Sequence, residues 1–139
     1  MFKLSGHFVA QPTAFARFAI ADLSSPGAFN WTEPLSLKPE QPYYDGKLLV
    51  LVDETTQSQA EYTAMALRAA PRSTLVGSAT AGADGNVSRL PLPGGLWSLI
   101  SGFGVYYPDK RPTQRVGIVP DLTARPTMNG IRQGQDEVL

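Results

Sequence analysis

The sequence predicts an α/β domain, and three observations carry that prediction. Residues 47–53 (KLLVLVD) are apolar on both faces of an extended chain, as in a strand buried within a parallel sheet covered by helices. Residues 58–70 follow with Ala60, Ala64 and Leu67 at positions i, i+4 and i+7, a helical spacing that Pro71 ends. Residues 73–77 (STLVG) then read as a second strand. Together they make a strand–helix–strand unit, whose crossover is almost always right-handed.

The flanking elements are weaker. Phe2, Leu4, Phe8 and Val9 form a loose helical pattern that Pro12 closes, and residues 15–20 (FARFAI) alternate well enough for a short strand. Residues 21–46 hold four Pro-containing turn signals and read as a long surface excursion pinned by Trp31, Tyr43 and Tyr44. Beyond the central unit, 83–86 (ADGN) is a turn. VSRLPL and LWSLISGFGVYYP then read as strands joined by Pro93-Gly94-Gly95, and Pro108-Asp109-Lys110 as a further turn. Residues 116–122 (VGIVPDL) form a last extended piece, and GIRQGQDEVL the start of a final helix. The expected organisation is one domain. Residues 1–46 form an N-terminal helix, strand and excursion, and residues 47–139 form the core, whose C-terminal section is curled and partly antiparallel.

Composition narrows the function classes. With 139 residues the chain suits a single domain. Twelve basic residues balance twelve acidic ones, so no basic stripe points to nucleic acid or to an anionic membrane. No apolar run approaches the roughly 20 residues of a membrane helix, and the opening residues lack the apolar centre of a signal peptide. Cysteine is absent, which removes thiolate nucleophiles and cysteine-ligated zinc; a single histidine, His7, excludes a histidine-rich metal site. No cofactor is expected. The glycines at 94, 95, 102 and 104 precede no helix, so they mark a bend or bulge rather than a phosphate loop.

The stretch TTQSQAEY (55–62) is where chemistry enters. Ser58-x-x-Glu61 is the pattern of a capping box, in which the serine opens the helix and the glutamate reaches back to it. The same position has a second use. A serine between a buried strand and a helix sits at the carboxyl end of a parallel sheet, where open α/β folds bind ligands. The N–H of Gln59 and the positive end of the helix dipole would face an oxyanion formed on a group attacked by Ser58. Cap and nucleophile both remain open on this geometry. His7 is a possible base, though a structural histidine fits its setting better. Asp84, Gly85 and Asn86 fall short of a calcium loop. Asp109 and Asp121 sit in turns, and Arg111 and Arg115 are loop cations that could meet a substrate carboxylate.

The order of the pieces adds a resemblance. KLLVLVDE, then T-x-S-x-A-E opening a helix, LVGSATAG, a hairpin carrying PGG, YYPDK and VGIVPDL together resemble the C-terminal half of the C-terminal processing (tail-specific) serine peptidases, a family that includes the tricorn core protease. The likeness runs from about Lys47 to the end of the chain. It implies a ClpP/crotonase-like spiral of strand–strand–helix units, and an incomplete domain belonging to a larger protein. It also implies that Ser58 is the nucleophile, that the Gln59 N–H is an oxyanion donor, and that Thr80, Ala81 and Gly82 form a turn that meets substrate. Such peptidases cleave near the C-termini of unfolded or tagged proteins, so the implied partner is a peptide or unfolded chain, and the implied assembly is a homo-oligomer or an association with upstream segments. The location is left open: the chain reads as soluble, and an exported location is open to a full-length protein.

Two departures from the family pattern bear on the base. The lysine of the lysine-dyad branch is Ala83 here, which rules that dyad out. In the tricorn-like branch a histidine comes from an upstream segment, supported by a glutamate; Gln114 stands at that glutamate's position. Two other readings follow: a peptide-binding or assembly module that keeps the fold without the chemistry, and, on fold likeness alone, a crotonase-like acyl-CoA enzyme.

Overall fold

A computed structural model describes residues 2–139; the part expected of the Phe2 side chain in the first helix lies outside the described residues. The central unit forms as its periodicity predicts. Strand β4 (Leu48–Val52) pairs in parallel with β5 (Ser73–Gly77), Leu48 opposite Ser73 and Val52 opposite Gly77, and helix α2 (Gln59–Arg68) connects them. A two-residue strand, β9 (Leu122–Thr123), extends this sheet beside β5. Residues 116–121, expected to be extended with it, are instead loop. Gly117, with φ of 76°, bends the chain there, and Pro120 removes a ladder donor just before β9.

The second sheet is antiparallel and organised by β1 (Thr13–Ala21), preceded by the short helix α1 (Phe2–Gly6). Strands β2 (Phe29–Trp31) and β8 (Phe103–Tyr106) both pair with the second half of β1, and β3 (Leu35–Leu37) pairs with its first half. A register shift between Ala14 and Ala16 breaks the two-residue alternation, so the consecutive Phe15 and Ala16 are both buried. The 21–46 region is therefore an excursion with two strands in it. Of its aromatics, Trp31 stacks edge-on against Tyr106 at 4.7 Å and Tyr44 against Phe8 at 5.8 Å.

One core joins the two sheets around α2. Ala64, Met65 and Ala66 of the helix meet Val50, Val52 and Leu75 of the parallel sheet, and Phe15, Leu37 and Val105 of the antiparallel one. Two expectations are corrected. The helix face turned inward is Glu61, Ala64, Met65 and Ala66, while Ala60 is exposed, because the buried glutamate, not an alanine row, defines the inner face. And β4 is buried on one face only: Leu49 is 65% and Leu51 48% exposed, since among the described residues the helix cover lies on the other side.

The C-terminal section splits the expected long strand. β6 (Val87–Pro91) and β7 (Trp97–Ser101) form an antiparallel hairpin over a 3-10 turn at Pro93–Gly95, and the chain turns at Gly102 into β8. The last helix, α3 (Met128–Gln133), is capped by the Thr127 hydroxyl, which accepts from the Gly130 N–H, and ends on Gly134 in the left-handed conformation.

Candidate active site

The path from β4 into α2 is held by short polar bonds. Asp53 Oδ1 accepts from the N–H groups of Thr55 (2.9 Å) and Thr56 (3.0 Å), which turns the chain directly after the strand. The threonine hydroxyl and amide of Thr55 are the main reason this exposed carboxyl titrates below its usual range. Ser58 then takes φ 53° and ψ −120° at the N-cap of α2. A non-glycine residue with positive φ is strained, by about 1–3 kcal/mol, and a sharp strand-to-helix turn of this kind is how hydrolases expose a nucleophile.

Glu61, fully buried, locks that turn. Its carboxylate accepts from the Ser58 N–H (3.0 Å), the Thr80 hydroxyl (2.5 Å), the Gly82 N–H (2.8 Å) and the Ala83 N–H (2.9 Å). Four donors compensate the loss of water that burial imposes on a charged group. Glu61 is thus more than the second half of a cap. It ties the start of α2 to the whole 80–83 turn. Thr80 passes the connection on, its Oγ1 accepting from the Ile118 N–H at 2.7 Å. Gly82, at φ 65°, is required here, because a Cβ would lie 2.9 Å from the Gly117 nitrogen.

The sequence-predicted site residues separate into two groups. Ser58 and Gln59 line a cleft of 560 Å³, together with Tyr62 of the same helix. Thr80, Ala81 and Gly82 do not line it: Thr80 is buried on Glu61, the Ala81 N–H donates to the Thr56 carbonyl at 3.0 Å, and Gly82 lines a separate cavity. Gln114 is spent on backbone. Its Nε2 donates to the Asp84 (2.7 Å) and Phe103 (3.2 Å) carbonyls, and its Oε1 accepts from the Val105 N–H (3.3 Å). His7 does not line the cleft; its Nδ1 sits 2.9 Å from the Pro42 carbonyl oxygen. Arg111 pairs with Asp109 two residues away, while Asp121 pairs with Arg68 at the end of α2 and accepts from the Leu75 N–H of β5, so these charges serve local structure. No group of acidic or histidine residues able to hold a metal ion occurs among the described residues.

Sequence reasoning weighed Asp84 only as part of a calcium loop and missed its place in the cleft. Hidden in an apparent turn tripeptide, it is 7% exposed and lines the cleft with Ser58. Burial, joined by the charge of Glu61 and opposed by the Gly85 N–H, pushes its pKa up to about 6. Burial and the charge of Asp84 likewise push the Tyr62 phenol up to about 12. The only signal in the sequence is the adjacency of Asp84 to the Gly82-Ala83 pair that Glu61 anchors, a contact between residues twenty positions apart.

This arrangement, a hydroxyl on a strained turn at a helix N-terminus over a cleft, can be set against known proteins. Residues 18–124 match the family model of Peptidase family S41. The chain belongs to that family. Solved structures agree in fold. A protein of Parabacteroides merdae ATCC 43184, provisionally described as a peptidase, superposes with a TM-score of 0.89 at 23% identity, over 99% of this chain and 44% of that one. Mature CPAF complexed with lactacystin gives 0.76 at 16% identity, over 95% of this chain and 38% of that one. The photosystem II D1 C-terminal processing protease gives 0.58 at 19% identity, over 88% and 31%. This S41 chain spans less than half the length of each of those structures. No curated protein matches its sequence.

Proposed function

We propose that this S41 chain is the nucleophile-bearing part of a serine peptidase that cleaves peptide bonds through an acyl-enzyme on Ser58. The observation that carries the reading is the backbone of Ser58, at φ 53° on the turn between β4 and α2, with its residue lining a cleft. The Gln59 N–H serves as oxyanion donor, aided by the helix dipole. Thr80, Ala81 and Gly82 form the turn that Glu61 holds in register. The wider fold is the ClpP/crotonase-like spiral, of which β4, α2 and β5 are one turn, and residues 1–46 and 47–139 fold as one domain. A serine hydroxyl needs an adjacent base. No lysine or histidine among the described residues lines the cleft, so in this reading the base comes from outside them. The family resemblance supports C-terminal tails of unfolded proteins as the substrates.

A second reading is favoured by two positions. Ala83 lacks a basic side chain, and Gln114 is consumed by backbone carbonyls. In that reading the chain binds peptide without cleaving it. Fluorophosphonate labelling separates the two. The peptidase reading expects covalent labelling, in the presence of the upstream segments, that disappears in Ser58→Ala. A Ser58→Ala form with unchanged labelling would overturn the assignment of Ser58, and a complete protein that never labels yet binds peptide would establish the second.

A further inference from the structure

Asp84 and Glu61 are both buried carboxylates beside Ser58, but they differ in how they are satisfied. Glu61 has four donors. Asp84 Oδ1 accepts only the Gly85 N–H, at 2.8 Å, and Oδ2 has no hydrogen-bond partner among the described residues. A buried, unanswered carboxylate oxygen is costly, and native folds keep such groups where something else completes them. Among the described residues no lysine, arginine or histidine lines the cleft that Asp84 shares with Ser58, and no cation lowers its titration. The walls are aromatic. Phe18 lies 4.9 Å from Phe103 and 6.0 Å from Tyr62, centroid to centroid. Asp84 and these three rings line one cleft, and an acid beside aromatic faces suits a long aliphatic stem with a positive tip, which packs its methylenes on rings and its charge on the carboxylate.

We propose that this cleft selects a lysine or arginine side chain of the bound peptide, with the Asp84 carboxylate as its counter-ion and Phe18, Tyr62 and Phe103 along its stem. The inference rests on reading the Ser58 cleft as a peptide site and names what that site prefers. A cleft of 560 Å³ holds such a side chain together with part of the adjoining backbone. Asp84 here is a specificity determinant and moves no proton.

The test is equilibrium binding, so that it does not depend on turnover. The full chain carrying Ser58→Ala is titrated with fluorescein-labelled Ala-Ala-Lys-Ala-Ala and Ala-Ala-Arg-Ala-Ala, and with counterparts bearing norleucine and citrulline in place of the cation. The expected result is binding of the cationic peptides tighter by about tenfold or more, as for a charge-assisted contact in a partly desolvated site. That preference should collapse in the isosteric Asp84→Asn. Equal affinity for charged and neutral peptides, or a preference that survives Asp84→Asn, overturns the inference. Should Asp84→Asn not fold, competition on the unaltered chain decides: butylammonium should displace the lysine peptide and butanol should not, and equal displacement overturns the proposal. Fluorophosphonate labelling distinguishes this failure from that of the peptidase reading. With labelling scored on the unaltered Ser58 protein under the conditions given above, labelling without cation preference defeats the inference alone, and cation preference without labelling defeats the peptidase reading alone.

Discussion

At the residue scale, the two acids show how far a local pattern can be trusted. Ser58 and Glu61 are visible in the sequence as a cap because their interaction is local, three residues along one helix. The bonds from Glu61 to Thr80, Gly82 and Ala83 close a loop of about twenty residues and leave no periodic trace. Asp84 is the harder case, since Asp-Gly-Asn is turn chemistry whether or not the fold later covers it. Its raised pKa has a thermodynamic consequence. A carboxyl whose folded value, about 6, lies above the ordinary 3.8 binds protons more readily in the fold. Its contribution to stability is therefore fully present below pH 3.8 and is lost as pH rises through 6. Relative to Asp84→Asn, the native chain should lose on the order of 2 kcal/mol between pH 4 and pH 7, after allowance for solvent screening. Urea midpoints of both proteins across that range measure it; parallel curves would mean that Asp84 ionises freely.

At the element scale, the parallel pair and its helix were legible because strong periodicity and Pro71 bound them. What periodicity could not reveal is which side of β4 the rest of the chain would cover. Alternate residues Val50 and Val52 enter the core, whereas Leu49 and Leu51 face outward. A strand with two apolar faces thus implied two covers, and only one is supplied by the described residues. Substitution should expose the asymmetry. Leu51→Ala is expected to change stability by less than about 0.5 kcal/mol, whereas Leu75→Ala, at a fully buried position, should cost about 2–5 kcal/mol. Chemical denaturation at low protein concentration gives both values, and a large loss for Leu51→Ala would place a cover on that face. The hairpin β6–β7 tells a related story. Its turn, with Gly94 at φ 81° and Gly95 at φ 77°, was readable from Pro-Gly-Gly, but the exposure of Leu90, Trp97 and Leu99 along it was not.

At the scale of the whole molecule, these apolar surfaces lie on one chain that spans under half the length of the S41 structures it matches. Leu49 and Leu51 on the open sheet face, and Val87, Trp97 and Ile100 on the hairpin, are large apolar side chains left exposed, and clusters of such side chains mark interaction surfaces. The chain is accordingly expected to self-associate, or to associate with another segment of its protein. Sedimentation over a hundredfold concentration range should show mass rising with concentration; a single compact monomer throughout would count against it. None of the described helices is long and apolar enough to cross a membrane.

The backbone at Ser58 carries one more implication. Glycine would adopt φ 53° without steric penalty, and as an N-cap it falls short of serine by only a few tenths of a kcal/mol. The conformation at position 58 is therefore one that glycine reaches without steric strain and serine does not, although glycine costs roughly 0.5–1 kcal/mol in backbone entropy. A side chain retained against the preference of its own backbone is one whose hydroxyl matters more than its fit, which accords with the role proposed for it.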